Sequence, residues 1–362
     1  MQDLETVINA AGKLTALGGS AQAPAVADAQ AKAAQRHIDL ARLREQAGAR
    51  IAEYTGAEAA CVTSGAAAGI TISIAALLTG TNLERIWQLP GFEGNNRILL
   101  QAGHAVNFGA PVEQMIRLGG GQPVILGSSN LVSEQQLRDY LEINAAAGML
   151  FVQSHHCVQE NMVPLATCLR ICQVHGIPLV VDAAAEDDLE RYIAAGADLV
   201  TYSGGKAFGG PTVGFIAGRQ PLIEACEAQF RGIARTMKVG KEAIAGLLVA
   251  LEAYTSTDES ERQVRTQAIN RLLMNALADC PLITLKAKPD EAGRPFERLA
   301  VQARNGQFDI RHLVTHLAQG NPSIRTRNHH LDQGYFLLDP RELAEADVAM
   351  IAERIRAFDP TN

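Results

Sequence analysis

The apolar positions along the chain fall into two textures. Through the first two thirds, short runs that are apolar on both faces alternate with stretches of helical period. Ala60–Thr63, Arg97–Gln101, Val124–Leu126, Gly148–Gln153, Ile177–Val181, Leu199–Tyr202 and Thr212–Ala217 read as strands. Between them, Ala66–Thr79, a run opened by Ser133 with Gln136 at the capping-box position, Leu165–His175 and Leu189–Ala195 read as helices. Doubly apolar strands alternating with helices predict an α/β fold, a mostly parallel sheet covered on both faces.

From Val239 the rhythm is lost. Helical period runs to Tyr254 and again from Glu261 to Asp279. Strand-like Leu282–Leu285 and Leu299–Ala303, a helix Ile310–Ala318, strands around Ile324 and Phe336, and a helix Glu342–Phe358 follow. This mixture predicts a separate, smaller α+β domain. At the other end, Ile8–Lys13 and Leu17–Ser20 are rich in turn residues, a helical run starts at Pro24, and another runs from Ile38 to Tyr54 before Gly56. The expected organisation is an arm and helix over 1–45, a large α/β domain over 46–245 and a small α+β domain over 246–362.

Composition narrows the partners. A hydrophobic fraction of 47% with 20% charged residues is that of an ordinary folded protein. The formal charge of −7 argues against a general affinity for nucleic acid or an anionic membrane. No apolar run reaches the ~18 residues of a membrane span. The polar, acidic start does not read as a signal peptide, and six cysteines scattered through apolar segments read as reduced thiols. A cytoplasmic location is expected.

Three short motifs carry chemistry. Thr63-Ser64-Gly65-Ala66 stands where a strand hands over to a helix, so the free amides and the helix dipole make either an anion site or an ordinary helix cap. Asp182 closes an apolar strand, where a carboxylate can hold a cationic nitrogen, bind a metal or cap the next helix. Lys206 lies in the glycine-rich turn Ser203-Gly-Gly-Lys206-Ala-Phe-Gly-Gly210, a setting for a Schiff-base amine or for a solvated loop lysine. Asp182 and Lys206 stand 24 residues apart, which fits a strand end, a helix and the next strand end, and so one edge of the sheet. A phosphate cup, a carboxylate for a pyridine nitrogen and an amine for an aldehyde are the parts of a pyridoxal phosphate site. Ser154-His155-His156 follows another strand end, and His155 is a candidate acid or base. Cys168 and Cys172, and His312 and His316, share helix faces but make a poor case for a metal, and none is expected.

With those residues in view, the chain resembles the fold-type-I pyridoxal phosphate enzymes, in the branch containing selenocysteine synthase and D-glucosaminate-6-phosphate ammonia-lyase. The resemblance rests on Ile8-Asn-Ala-Ala-Gly12, Thr55-Gly-Ala-Glu-Ala-Ala60, Val62-Thr-Ser-Gly-Ala-Ala-Ala-Gly69, Val181-Asp-Ala-Ala-Ala-Glu186, Gly196-Ala-Asp-Leu-Val200, Tyr202-Ser-Gly-Gly-Lys-Ala207 and Met237-Lys-Val-Gly-Lys-Glu242. It is looser in the last third, where Pro322-Ser-Ile-Arg-Thr-Arg327 and Leu338-Asp-Pro-Arg341 match. It implies that Lys206 carries pyridoxal 5'-phosphate, that Asp182 pairs the pyridine nitrogen, and that Ser64, Gly65, Ala66 and Ser203 hold the phosphate. His104, in Gly103-His104-Ala-Val-Asn107, would stack on the cofactor ring; the other reading is a hydrogen-bonded core histidine.

Asn9, Arg327 and Lys238 become substrate-binding candidates, with Arg327 preferred to Arg325 as the small-domain arginine for a carboxylate. The implied reaction runs on an amino-acid-like or amino-sugar-like amine through an external aldimine and an α-carbanion to elimination or β-replacement. The alternatives are an aminotransferase and a non-catalytic cofactor-binding protein. A phosphorylated or acidic substrate fits if Arg235, Lys238 and Lys241 face the crevice. At least a homodimer with shared active sites is expected, with the Arg231–Lys241 segment reaching the neighbour.

Overall fold

The computed structural model describes residues 5–154, 157–290 and 294–360. In chain order the elements used below are strand β1 (Val7–Ala10), helices α1 (Pro24–Ala34) and α2 (Leu40–Thr55), β2 (Ala59–Thr63), α3 (Ala66–Thr79), β3 (Arg97–Gln101), β4 (Gln122–Leu126), β5 (Gly148–Val152), β6 (Leu179–Asp182), β7 (Leu199–Ser203) and β8 (Gly214–Gly218). They are followed by β9 (Ile283–Pro289), β10 (Glu297–Ala303), β11 (Ser323–Thr326) and β12 (Tyr335–Leu338), with helices between.

Local chemistry sets the helix ends where the sequence marks them. Pro24 opens α1 in its first turn, where its missing N–H is no loss. The Asp39 carboxylate accepts from the amides of Ala41 and Arg42 at 3.0 and 3.2 Å and so caps α2, and Gly56 at φ 64° ends it. Ser133 and Gln136 form a reciprocal capping box.

Two compact units result. One holds residues 22–255, and the other joins the first 21 residues to those from 256 onward. In the unit 22–255, a seven-stranded sheet runs in the order β2-β8-β7-β6-β5-β3-β4. Strand side chains alternate between two apolar layers. Met149, Phe151, Leu179 and Val181 enter one, whereas Leu150, Val152 and Val180 enter the other. All of these pairings are parallel except those of β8, which lies antiparallel between β2 and β7. A parallel return needs a crossover of a dozen or more residues, usually a helix. The stretch from Ser203 to Gly214 holds only a turn, so β8 comes back antiparallel.

In the other unit, β12-β10-β9 form an antiparallel sheet and β1 pairs in parallel with β11, Val7 opposite Ser323 and Ala10 opposite Thr326. Its core gathers Leu299, Val301, Leu313, Phe336 and Ile351. Beside it lies a buried ion network. Arg298, 1% exposed, donates to Asp339 at 2.8 Å and pairs with Asp290, while Arg341 grips Asp339 with two bonds of 2.9 and 2.8 Å.

The unit that holds the C-terminal residues takes up the chain after Thr255, and the helix Lys241–Ser256 packs Ile244, Leu247 and Leu251 into the sheet unit. The stretch 1–45 divides between the two units. Its first part joins the C-terminal residues through β1, and α1 and α2 join the sheet unit.

Candidate active site

Because β8 opposes both its neighbours, β2 runs with β7, β6, β5, β3 and β4. Their C-terminal ends, Thr63, Ser203, Asp182, Val152, Gln101 and Leu126, therefore share one edge. Gly214 opens β8 between Thr63 and Ser203, in register with both, and Asp182 pairs with Val152 on one side and Thr201 on the other. Ligands of open α/β sheets bind at this edge.

The turn after β2 is shaped to admit an anion. Thr63 Oγ1 donates to the Gly65 carbonyl at 2.9 Å. Gly65 has φ 155°, a backbone geometry that side chains avoid, and the space where its Cβ would stand is open. No side chain caps α3, so its leading amides face outward with the helix dipole behind them. Glycine also lets α3 sit low on the sheet. A Cβ on Gly69 would stand 2.0 Å from Thr201 Oγ1, and one on Gly214 would stand 2.7 Å from the Gly65 carbonyl carbon. Thr201 Oγ1 donates to the Ala66 carbonyl at 3.4 Å.

Asp182 is 5% exposed and accepts from the Ala184 amide at 3.1 Å. Burial pushes its carboxyl up to about 6, against that hydrogen bond and the Lys206 charge; Glu186 adds to the rise. Burial also lowers the Lys206 amine, and the Asp182 charge restores part of the loss. The Lys206 turn is closed by Gly204 N–H to Val213 O at 2.9 Å and Gly210 N–H to Gly204 O at 2.8 Å. A desolvated amine suits an aldehyde, a buried carboxylate short of positive charge suits a protonated pyridine nitrogen, and outward amides suit a phosphate. The residues present fit pyridoxal phosphate.

His104 is fully buried. Its Nδ1 accepts from the Val152 amide at 3.3 Å, so Nε2 carries the proton and faces Gln159 Oε1 at 3.2 Å. Its ring meets Phe151 edge-on, with centroids 4.5 Å apart. Burial holds it neutral, at about 4, with the Gln159 bond opposing. These contacts brace the imidazole beside the end of β5. His155 and its neighbour His156 lie outside the described residues.

The substrate candidates divide between the two units. Asn9 and Arg327 belong to the other unit. Asn9 shapes the turn after β1, accepting from Ala11 N–H at 3.1 Å and donating to Gly12 O at 3.0 Å. Arg327 is 4% exposed, whereas Arg325 is exposed. Lys238 and Arg235 are exposed, but Lys241 donates to the carbonyls of Ala34 and Arg36 and is committed to joining two helices. Cys168 and Cys172 are buried in the core.

Four neighbours of the site went unassigned in the sequence. Cys157 feels the Asp182 charge, and burial first, then that charge, push its thiol up to about 12. Glu186 accepts from the Tyr192 hydroxyl at 3.0 Å. Thr201 and Gln159 complete the set. Glu186 stands inside a matched motif, while nothing local marks Cys157 or Gln159.

Comparison with known proteins gives the chain its relatives. The family model for L-seryl-tRNA selenium transferase matches residues 166–288. The D-glucosaminate-6-phosphate ammonia lyase of Salmonella typhimurium is 42% identical over 98% of this chain and 95% of its own. A Streptomyces 5'-C-glycyluridine monooxygenase-decarboxylase is 38% identical over 96% of this chain and 88% of its own. A solved structure of D-glucosaminate-6-phosphate ammonia-lyase superimposes with a TM-score of 0.90, at 42% identity over 98% of this chain and 95% of that one. The fold alone is shared with the serine palmitoyltransferase of S. paucimobilis, solved with bound PLP and myriocin, at a TM-score of 0.60 and 16% identity over 97% of this chain and 87% of that one. The chain belongs to the fold-type-I pyridoxal phosphate enzymes, in the branch that holds D-glucosaminate-6-phosphate ammonia-lyase and selenocysteine synthase, and pyridoxal 5'-phosphate is its cofactor.

Proposed function

We propose that this enzyme is a lyase that removes ammonia from a phosphorylated, amino-sugar-like amine. The observation that carries the reading is the end-to-end match, at 42% identity, to a relative named for that reaction. Lys206 would hold the cofactor's aldehyde carbon, Asp182 its ring nitrogen, and the amides of Gly65 and Ala66 with Ser64 and Ser203 its phosphate. When bound, the cofactor supplies an electron sink for the charge left at the substrate's α-carbon.

The remaining work falls to side chains of this chain. Lys206 has its pKa lowered by burial and so would be poised to take the α-proton. Asp182 stays ionised against the ring cation, which offsets the burial that otherwise raises it. Lys206 or His155 then protonates the departing β-hydroxyl. The C–H and C–O bonds break, water leaves, and hydrolysis releases ammonia and a ketone. Lys238 would hold the substrate's phosphate. His104, neutral and braced, would keep the wall of the crevice in place.

The test is a single-turnover assay with a phosphorylated amino sugar acid. Stoichiometric ammonia and a keto product should form without an added keto acid. Trapping of the amine form of the cofactor, with no free ammonia, would reject the lyase reading. Borohydride reduction should fix the cofactor on Lys206 and leave Lys206→Ala unlabelled. The Streptomyces relative supports a second reading, oxidative decarboxylation, which would consume oxygen and release carbon dioxide instead. A homodimer acting in the cytoplasm completes the proposal, and sedimentation of the holoenzyme at micromolar concentration tests the assembly.

A further inference from the structure

The loop that follows Asp182 and the turn that carries Lys206 share one aromatic anchor. Tyr202 donates its hydroxyl to the carbonyls of Asp188 and Leu189, at 3.1 Å each. Tyr254 donates to the Asp187 carbonyl at 2.7 Å, and Tyr192 donates to Glu186 Oε2 at 3.0 Å. Residues 186–189 are thus each held by a tyrosine hydroxyl. The rings meet around Phe208, two residues beyond Lys206 and 4% exposed. Phe208 lies edge-on to Tyr254 at 5.0 Å and to Tyr202 at 6.1 Å, and Phe215 stacks on Tyr202 at 5.0 Å.

Backbone bonds also tie both segments: Ala183 N–H donates to Thr201 O at 2.9 Å, and the Lys206 turn is closed on Val213 and Gly204. Ala183, Ala184 and Ala185 bring only methyl groups to the start of the loop, and the glycines at 204, 205, 209 and 210 bring no side chain to the Lys206 turn. A phenol buried as deeply as Tyr202 needs an acceptor for its hydroxyl, and here the acceptors are backbone carbonyls of the loop.

We propose that Tyr202 and Tyr254 are positioning residues for the reaction: by tying the 183–190 loop and the 204–210 turn to one anchor, they set the spacing between Asp182 and Lys206. The proposal rests on the assignment of the cofactor to those two residues. Asp182 responds to the charges of Lys206 and Glu186 around it, so a change of spacing changes how these charges couple.

The experiment uses the holoenzyme, wild type, Tyr202→Phe and Tyr254→Phe. Both substitutions keep the ring and remove one hydroxyl, and the half-buried Tyr254 remains informative if Tyr202→Phe folds poorly. Borohydride reduction and peptide mapping first locate the cofactor, and the visible band of the bound cofactor is then titrated with pH beside kcat and KM. Phe358→Leu, in the core of the other unit, serves as a control for lost stability alone. In the tyrosine variants the adduct should stay on Lys206 and the titration midpoint should shift by roughly half a unit or more. In them kcat should fall about tenfold with KM little changed. An adduct on Lys206 with wild-type midpoints and kcat in both tyrosine variants, and only a lower melting temperature, would overturn the positioning role. An adduct on another lysine would overturn the site assignment beneath it.

Discussion

Replacing Asp182 by Asn should stabilise the cofactor-free protein above about pH 6 while disabling the enzyme. The Asp182 carboxyl is held at about 6 instead of its ordinary 3.8 because it is buried. Between those values the folded protein keeps a proton that the unfolded chain has already released, so stability falls as pH rises through this window. Below about pH 4 both states are protonated and the effect vanishes. Above about pH 6 it is complete, and a shift of about two units corresponds to about 3 kcal/mol. Asn keeps the shape and the acceptor for the Ala184 amide without the charge. For a domain of this size, ~3 kcal/mol corresponds to a melting point about 6–12 °C higher. Calorimetry of apo wild type and Asp182→Asn from about pH 4 to about pH 8 should therefore show melting curves that coincide in acid and separate above about pH 6. Adding pyridoxal phosphate should abolish the advantage of the variant, because a ring cation now offsets the carboxylate. A difference that does not vary with pH, or a variant less stable than wild type at about pH 8, would refute the reasoning.

Two further outcomes follow from packing and charge. Gly69→Ala places a methyl 2.0 Å from Thr201 Oγ1, so α3 must rise from β7; a cost of about 1–3 kcal/mol and a faster loss of cofactor on dialysis are expected. Asp339→Asn leaves the Arg298 and Arg341 guanidiniums short of a counter-charge and should cost about 3–5 kcal/mol by denaturant titration. Burial alone would raise the Asp339 carboxyl, but Arg341 and Arg298 outweigh it and hold it well below its ordinary value. The stability from that pairing is present at neutral pH and is lost as pH falls below the ordinary carboxylate range, so wild type should lose more stability in acid than the variant.

Most of what repeats locally was legible in the chain. Ala66–Thr79, Arg97–Gln101 and the Ser133 capping box stand where periodicity and turn chemistry put them, because helix period, strand length and cap residues act within a few positions. Asp182 and Lys206 were legible too, as a polar residue closing an apolar run and a lysine among glycines. Pairings between distant segments left no such mark. β1 shows only Val7-Ile8-Asn9-Ala10, too short to declare a period, and its partner β11 lies near the other end of the chain. That pairing, with the Asp339 amide donating to the Ala10 carbonyl, sends the first residues to one unit while α1 and α2 go to the other. Likewise β8 reads as one more strand, and its insertion between β2 and β7 depends on a connection too short to cross over. The tyrosine hydroxyls at 202 and 254 meet their carbonyls only after folding, since a buried donor takes whichever acceptor the packed core brings within reach.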